Sequence, residues 1–234
     1  MDDHEIEGML AFLALAERLK DTLRNGRTTS GRTESTAEHS WRLCLMALVL
    51  GEALGADTGR LLRICLVHDL AEALTGDLPA PMPRRAGEKA AREREALATL
   101  TETLPAGPRE AILALWEEYE TGSTHEGRLA KGLDKLETIL QHAQGQNPPG
   151  FDLAYNLGYG RAETGVHPLL AAMRARLDAA TRARLAEDAA LAGPSDMRQP
   201  KAAEAANAAR RQCGEAKRPE AAHHAVGVPA ARRV

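Results

Sequence analysis

The sequence of 234 residues predicts an all-α protein. Only seven residues are Phe, Trp or Tyr, whereas β-sandwiches and barrels depend on aromatic and β-branched residues. Alanine, leucine, glutamate and arginine are the dominant residue types, which favours helices. Apolar residues recur at helical spacing, with helix start and stop signals between the segments. These observations predict about seven helices and no strand.

The first two helices follow from periodicity and from their end signals. Apolar residues at helical spacing predict a helix over residues 5–20. Residues 21–34 are polar and contain two glycines, which predicts a long loop. Ser35 and Glu38 then match a capping box, and the helix that begins there is expected to end at Leu54.

The third helix is apolar nearly all round, as expected of a central, buried helix, and is predicted to run from Asp57 as N-cap to Thr75. The proline-rich residues 78–85 predict an extended loop. Trp116 and Tyr119 lie three apart on one helix face and are expected to be packing residues. The remaining helices are predicted over residues 88–104, from Pro108 onward, over residues 126–144, and from Pro168 to about Ala190.

Composition divides the chain into a domain over residues 1–190 and a disordered tail over residues 191–234. The tail holds thirteen alanines and a formal charge of +4, which leaves −7 on the first 190 residues. Such a segment cannot bury enough apolar surface to become ordered. The acidic domain argues against a nucleic-acid partner. The acidic start differs from a signal peptide and no apolar run can span a bilayer, so a cytoplasmic protein without a membrane partner is expected.

Three polar residues interrupt the third helix. His68 and Asp69 each share a helix face with Glu72, and two buried carboxylates cost several kcal/mol unless a cation accompanies them. A divalent metal meets this need, because imidazole and carboxylate both ligate it. The alternative is a helix turn that reaches the surface, with its polar groups solvated.

His39 and Asp134 strengthen the metal hypothesis. Taken alone, His39 is a helix-start residue and Asp134 is one half of a salt bridge. Taken with His68 and Asp69, they supply two imidazoles and two carboxylates. Such an oxygen-rich set suits Mn²⁺, Fe²⁺, Co²⁺ or Mg²⁺ and can leave positions for water and substrate.

The stretches around these residues resemble the HD-domain phosphohydrolases, and more narrowly their 5′-deoxynucleotidase branch. The matching stretches are Arg32–Arg42 with Glu-His-Ser, Leu66–Pro79 with His-Asp, and Leu133–Glu137 with Asp-Lys. The resemblance covers about residues 8–175. It implies an HD-domain helical bundle that forms a homodimer, as its relatives commonly do. It also implies hydrolysis of deoxyribonucleoside 5′-monophosphates with one divalent metal ion, either Co²⁺, Mn²⁺ or Mg²⁺.

The resemblance also implies a role for each matching residue. The implied metal ligands are His39, His68, Asp69 and Asp134. Glu72 would hold the attacking water or accept its proton, and Asp77 would contact the deoxyribose. The implied substrate-binding residues are Arg24, which would orient the phosphate, and Asp77, Leu78, Pro79 and Ala80.

The loop over residues 24–32 departs from the family pattern. Relatives commonly carry a Trp just after the arginine, whereas Asn25 follows Arg24 here and no aromatic residue occurs between Phe12 and Trp41. Recognition of the base or the sugar is therefore expected to differ. Two alternatives stay open, an HD-domain hydrolase of another nucleotide phosphoester and a helical interaction module without catalysis.

Overall fold

The computed structural model describes residues 2–77 and 87–192. The chain up to Glu187 forms one compact unit, and of the second unit, which begins at Asp188, the described part ends at Ala192. The predicted disordered tail therefore lies outside the described residues, apart from its first two, which continue the last helix. Among the described helices, none combines the length and the apolar character needed to cross a bilayer.

The helical class is confirmed, with nine α-helices among the described residues. They are α1 (Asp3–Ala16), α2 (Thr36–Leu50), α3 (Thr58–Val67), α4 (Glu72–Thr75), α5 (Glu88–Leu100), α6 (Ala106–Thr121), α7 (His125–Gln144), α8 (Arg161–Thr164) and α9 (Pro168–Ala192). Two 3₁₀ helices, Glu17–Lys20 and Leu153–Leu157, add to them. The predicted capping box of Ser35 and Glu38 is formed at the start of α2.

The prediction that the chain contains no strand is wrong within the loop after the first helix. There β1 (Leu23–Arg27) pairs antiparallel with β2 (Thr33–Ser35). Tertiary contacts hold this polar hairpin, since the Gln141 side chain of α7 donates to the Arg27 carbonyl oxygen at 2.6 Å. A β-carbon at Gly145, which caps α7, would lie 1.9 Å from that same oxygen, so only glycine allows this close packing.

The third helix is interrupted where the sequence predicts a continuous one. α3 ends at Val67, and residues 68–71 form a turn before α4. In this turn the Glu72 amide donates to the Asp69 carbonyl oxygen at 2.9 Å, an i→i−3 bond of the 3₁₀ type. Gly76, at φ +73°, ends α4 directly after Thr75, which is the residue where the sequence predicts this helix to end.

Two apolar clusters hold the helices around these elements. The larger cluster joins α2, α3, α6 and α7, and its fully buried members include Leu43, Leu61 and Leu133. The second cluster surrounds Trp116, which packs against α5 and the residues on either side of the start of α4. This contact confirms that Trp116 is a packing residue, as the sequence predicts. Because α2, α3 and α7 meet in the larger cluster, their polar residues are brought together at its edge.

We expect Leu61→Ala to lower the free energy of unfolding by about 2–5 kcal/mol, since it opens a cavity in the larger cluster. Leu66 of the same helix is 62% exposed, and Leu66→Ala should change that free energy by less than about 0.5 kcal/mol. Urea denaturation followed by far-UV circular dichroism measures both values. Equal losses in the two variants would contradict the orientation of α3.

Candidate functional site

A cavity of about 340 Å³ brings most of the predicted site residues together. This volume falls in the range of small-molecule sites. The predicted residues that line it are Arg24, His68, Asp69, Glu72, Asp77 and Asp134. His39 is fully buried behind this lining. Leu78, Pro79 and Ala80, also predicted to bind substrate, lie outside the described residues.

Two imidazoles and two carboxylates converge at the base of this cavity. His39 Nε2 lies 3.3 Å from His68 Nε2 and 3.2 Å from Asp134 Oδ1. Asp69 Oδ2 lies 3.0 Å from His68 Nε2 and 3.7 Å from His39 Nε2. Three of the four residues, His39, His68 and Asp134, are grouped closely enough to share one metal ion. The donor set of nitrogen and oxygen atoms fits a first-row divalent cation.

Hydrogen bonds at Nδ1 turn both imidazoles toward this cluster. His68 Nδ1 lies 2.8 Å from the Cys65 carbonyl oxygen. A carbonyl oxygen only accepts, so Nδ1 carries the proton and the lone pair of Nε2 faces the cluster. His39 Nδ1 bonds the Glu137 carboxylate, which in turn accepts from Arg42 Nε at 2.7 Å. Such outer partners are typical of metal-ligating histidines.

Sequence reasoning missed Glu137. A usable signal was its spacing, because it follows Asp134 by three residues and so shares a face of the same helix. Glu137 is fully buried. Burial alone would raise its pKa, but the charges of His39 and Arg42 hold the pKa below its usual value.

One face of α7 supplies a large part of the site. Its buried residues Asp134, Glu137, Thr138 and Gln141 occupy positions i, i+3, i+4 and i+7, which share one helix face. Thr138 Oγ1 accepts from Arg24 Nη2 at 3.0 Å, and Gln141 holds the end of β1. The same helix face therefore carries a candidate ligand and sets the position of the Arg24 guanidinium.

The second oxygen of Asp134 has two donors. Tyr119 Oη and Lys135 Nζ each lie 2.7 Å from Asp134 Oδ2, while Oδ1 faces His39. The sequence predicts only a packing role for Tyr119, whereas its hydroxyl group also bonds Asp134. Lys135 forms the salt bridge that the sequence offers as the alternative role of Asp134. Burial raises the pKa of Asp134, but the charges of Lys135 and His39 lower it well below its usual value.

Arg24 places a buried positive charge beside the cluster. Its Nη1 lies 3.4 Å from Asp69 Oδ2, and its Nε lies 3.4 Å from Glu34 Oε2. Burial lowers the pKa of Arg24, but the carboxylates of Asp69 and Glu137 outweigh burial and raise it. The guanidinium is therefore permanently charged at one side of the cavity.

Glu72 is 3% exposed and accepts a hydrogen bond from Thr36 Oγ1 at 3.0 Å. Burial, followed by the charges of Asp69 and Asp77, raises the pKa of Glu72 to about 9. Burial also raises the pKa of Asp77, although Arg24 opposes this. In the metal-free protein, Glu72 therefore carries a proton at neutral pH.

This raised pKa makes the stability of the metal-free protein depend on pH. Between the ordinary pKa of 4.5 and the folded value of about 9, Glu72 is ionised in the unfolded chain and protonated in the folded one. Folding takes up a proton there, so the stability from this group is complete below pH 4.5 and is lost as pH rises through 9. Glu72→Gln cannot titrate, so its Tm should exceed that of the wild type increasingly over this interval.

Thermal unfolding at a series of pH values measures this difference, with the exposed Glu110→Gln as the matched control. We expect the Tm of Glu72→Gln to exceed that of the wild type by about 2–4 °C or more at the alkaline end of this pH interval. A change of about 1 kcal/mol in the free energy of unfolding produces such a shift in a chain of this size. Parallel curves of Tm against pH for Glu72→Gln and the wild type would contradict the protonated state.

Comparisons with known proteins show to which family this chain belongs. Residues 16–174 match the model of the HD domain. The mouse protein named 5′-deoxynucleotidase HDDC2 is 40% identical over 151 residues, which cover 61% of this chain and 74% of that protein. Its human counterpart is 40% identical over 146 residues, which cover 60% of this chain and 70% of that protein.

A solved structure from Magnetospirillum magnetotacticum MS-1, described as a predicted metal-dependent phosphohydrolase, has the same fold. It superposes with a TM-score of 0.67 at 30% sequence identity, over 77% of this chain and 94% of that one. The resemblance found in the sequence is thereby confirmed. The chain belongs to the HD-domain family, on the branch that contains the HDDC2 proteins.

Proposed function

We propose that this protein is a metal-dependent 5′-deoxynucleotidase, which hydrolyses deoxyribonucleoside 5′-monophosphates to a deoxynucleoside and inorganic phosphate. The observation that carries the proposal is the convergence of two imidazoles and two carboxylates beside Arg24 in one cavity. The names of the mouse and human relatives support the substrate class. The proposed metal ligands are His39, His68, Asp69 and Asp134.

The charge of the cavity supports a bound cation. Among the described residues that line it, seven are Asp or Glu and three are Lys or Arg. A phosphate dianion that entered such a cavity without further positive charge would be repelled. A divalent ion such as Co²⁺, Mn²⁺ or Mg²⁺ at the proposed ligands would offset that repulsion and make water easier to deprotonate.

The chain's own residues can perform the remaining steps. Arg24 would bind the phosphate oxygens and share their growing negative charge. Glu72 would exchange a proton with the attacking water at its carboxyl oxygen. Positive charge beside Asp69 would lower the pKa of Glu72 toward neutrality, where a carboxyl group both accepts and releases a proton. Asp77 would contact the deoxyribose.

The proposal includes a homodimer located in the cytoplasm. Four apolar side chains of α2 support the dimer, because they are at least 40% exposed and exposed apolar patches mark interaction surfaces. They are Trp41, Leu45, Leu48 and Val49.

The first test is phosphate release after the protein has been stripped with a chelator. We expect release from deoxynucleoside 5′-monophosphates only when Co²⁺, Mn²⁺ or Mg²⁺ is restored, and slower release from ribonucleotides. Asp69→Ala should reduce kcat/KM by at least about 100-fold, since even partners outside the ligand set cost about 10–100-fold. Asp3→Ala, on the exposed start of α1, is the control.

Each other outcome bears on a different part of the proposal. Equal rates on ribonucleotides would contradict the role of Asp77 but keep the nucleotidase. If the metal-loaded protein releases phosphate from no monophosphate, the proposed 5′-nucleotidase activity is overturned. Activity that survives both the chelator and Asp69→Ala would overturn the metal centre.

A second prediction concerns the orientation of His39. Glu137→Gln keeps the shape of the side chain but removes the charge that holds His39 Nδ1, so metal affinity should fall by about 10–100-fold. Titration of the stripped protein with Co²⁺ in a calorimeter measures this affinity. Glu117→Gln is the matched control, because Glu117 of α6 also pairs with an arginine, Arg94, but its side chain is 45% exposed. Equal affinities in the two variants would contradict the orienting role.

A further inference from the structure

The aromatic residues of this chain are concentrated at one place. Only seven of its 234 residues are Phe, Trp or Tyr, and four of these line the cavity of the candidate site, namely Tyr119, Phe151, Tyr155 and Tyr159. Tyr119 is engaged by Asp134. The other three lie close together in sequence, in the segment between α7 and α8. Neither apolar cluster found among the described residues includes them.

The three rings extend away from the charged base of the cavity. The ring of Tyr159 lies 5.3 Å from Lys135 Nζ, which bonds Asp134, and the ring of Tyr155 lies 5.3 Å from that of Tyr159. The ring of Phe151 packs edge-to-face on that of His142 at 4.9 Å. His142 follows Asp134 by eight residues on α7, which is about 12 Å along the helix axis.

The strand that carries Arg24 contributes no ring to this cavity. After Arg24 it lines the cavity with Asn25 and Gly26. A β-carbon at Gly26 would lie 3.3 Å from Cδ2 of His142, so the backbone of β1 approaches the wall formed by α7 closely. Among the described residues, an aromatic surface for a ligand is therefore available from residues 151–159 and from Tyr119, which already bonds Asp134.

We propose that Phe151, Tyr155 and Tyr159 form the subsite that binds the nucleobase of the substrate. This inference rests on the proposed function, because a phosphate held beside Arg24 leaves the sugar and the base to extend along the cavity toward these rings. Every nucleobase has a π face, so stacking on aromatic side chains binds purines and pyrimidines alike. The proposed subsite therefore requires that the substrate carry a base, but it accepts different bases.

The test compares a nucleotide with the same sugar phosphate without its base. For each variant, kcat/KM is measured for deoxyadenosine 5′-monophosphate and for 2-deoxyribose 5-phosphate, and their ratio is formed. The ratio does not depend on the folded fraction of the preparation. Tyr155→Leu and Phe151→Leu should each lower it about 5- to 100-fold, the range that loss of base stacking produces.

Two matched variants separate stacking from other effects. Tyr155→Phe retains the ring and should retain most of the ratio. Phe12→Leu removes an aromatic side chain that packs against the second apolar cluster and does not line this cavity, and should leave the ratio unchanged. If Tyr155→Leu and Phe151→Leu lower kcat/KM equally for both substrates, or for neither, the subsite is overturned.

A binding measurement keeps this inference apart from the proposed function. 2′-Deoxyadenosine, which has no phosphate to lose, is titrated into the metal-loaded protein in a calorimeter. Weaker binding by Tyr155→Leu than by Tyr155→Phe supports the subsite even if no monophosphate is hydrolysed. Equal binding by these two variants, or no binding by the wild type, overturns it whether or not phosphate is released.

Discussion

The structure depends on the burial of four polar groups that the fold forces together. Neighbouring donor atoms of the two imidazoles and two carboxylates lie between 3.0 and 3.7 Å apart, and three of the four residues are at most 5% exposed. Buried carboxylates cost several kcal/mol unless positive charge or hydrogen-bond donors accompany them. A metal cation bound among the four groups would supply that positive charge. The two apolar clusters supply the stability that keeps the groups in place before any cation binds.

The surrounding cations of the protein supply only part of the positive charge that these carboxylates need. Arg24 pairs with Asp69 and Glu34, Lys135 pairs with Asp134, and Arg42 pairs with Glu137 outside the cavity. Each cation is thus shared with a carboxylate, and the cavity keeps an excess of acidic residues. A site arranged in this way selects ligands that arrive with positive charge or that share a metal ion with it.

Local features of the fold could be predicted from the sequence, whereas features made by distant contacts could not. The capping box at Ser35 and the stop at Gly76 depend on neighbouring residues, and both are formed. The β1–β2 hairpin has no strand pattern of its own and is held by α7. The turn over residues 68–71 interrupts an apolar run whose periodicity continues through it.

The same distinction applies to the candidate site. The polar residues His68 and Asp69 inside an apolar helix pointed to a metal, His39 and Asp134 completed a possible donor set, and the resemblance to a family assigned all four as ligands. The partners that orient this set, Glu137 above all, have no motif of their own. Their roles depend on which atoms face one another, and that is settled by packing between helices.

The concentration of site residues on α7 has a consequence for how this protein can evolve. Successive residues of a helix are rotated by about 100° about its axis. A single insertion or deletion between Asp134 and Gln141 would therefore turn the candidate ligand Asp134 away from the residues that hold the hairpin and Arg24. Point substitutions at other positions of this helix leave that alignment intact, but changes of its length would disconnect the proposed metal ligand from the proposed phosphate-binding arginine. Length variation among homologues should accordingly be confined to the segments that flank α7.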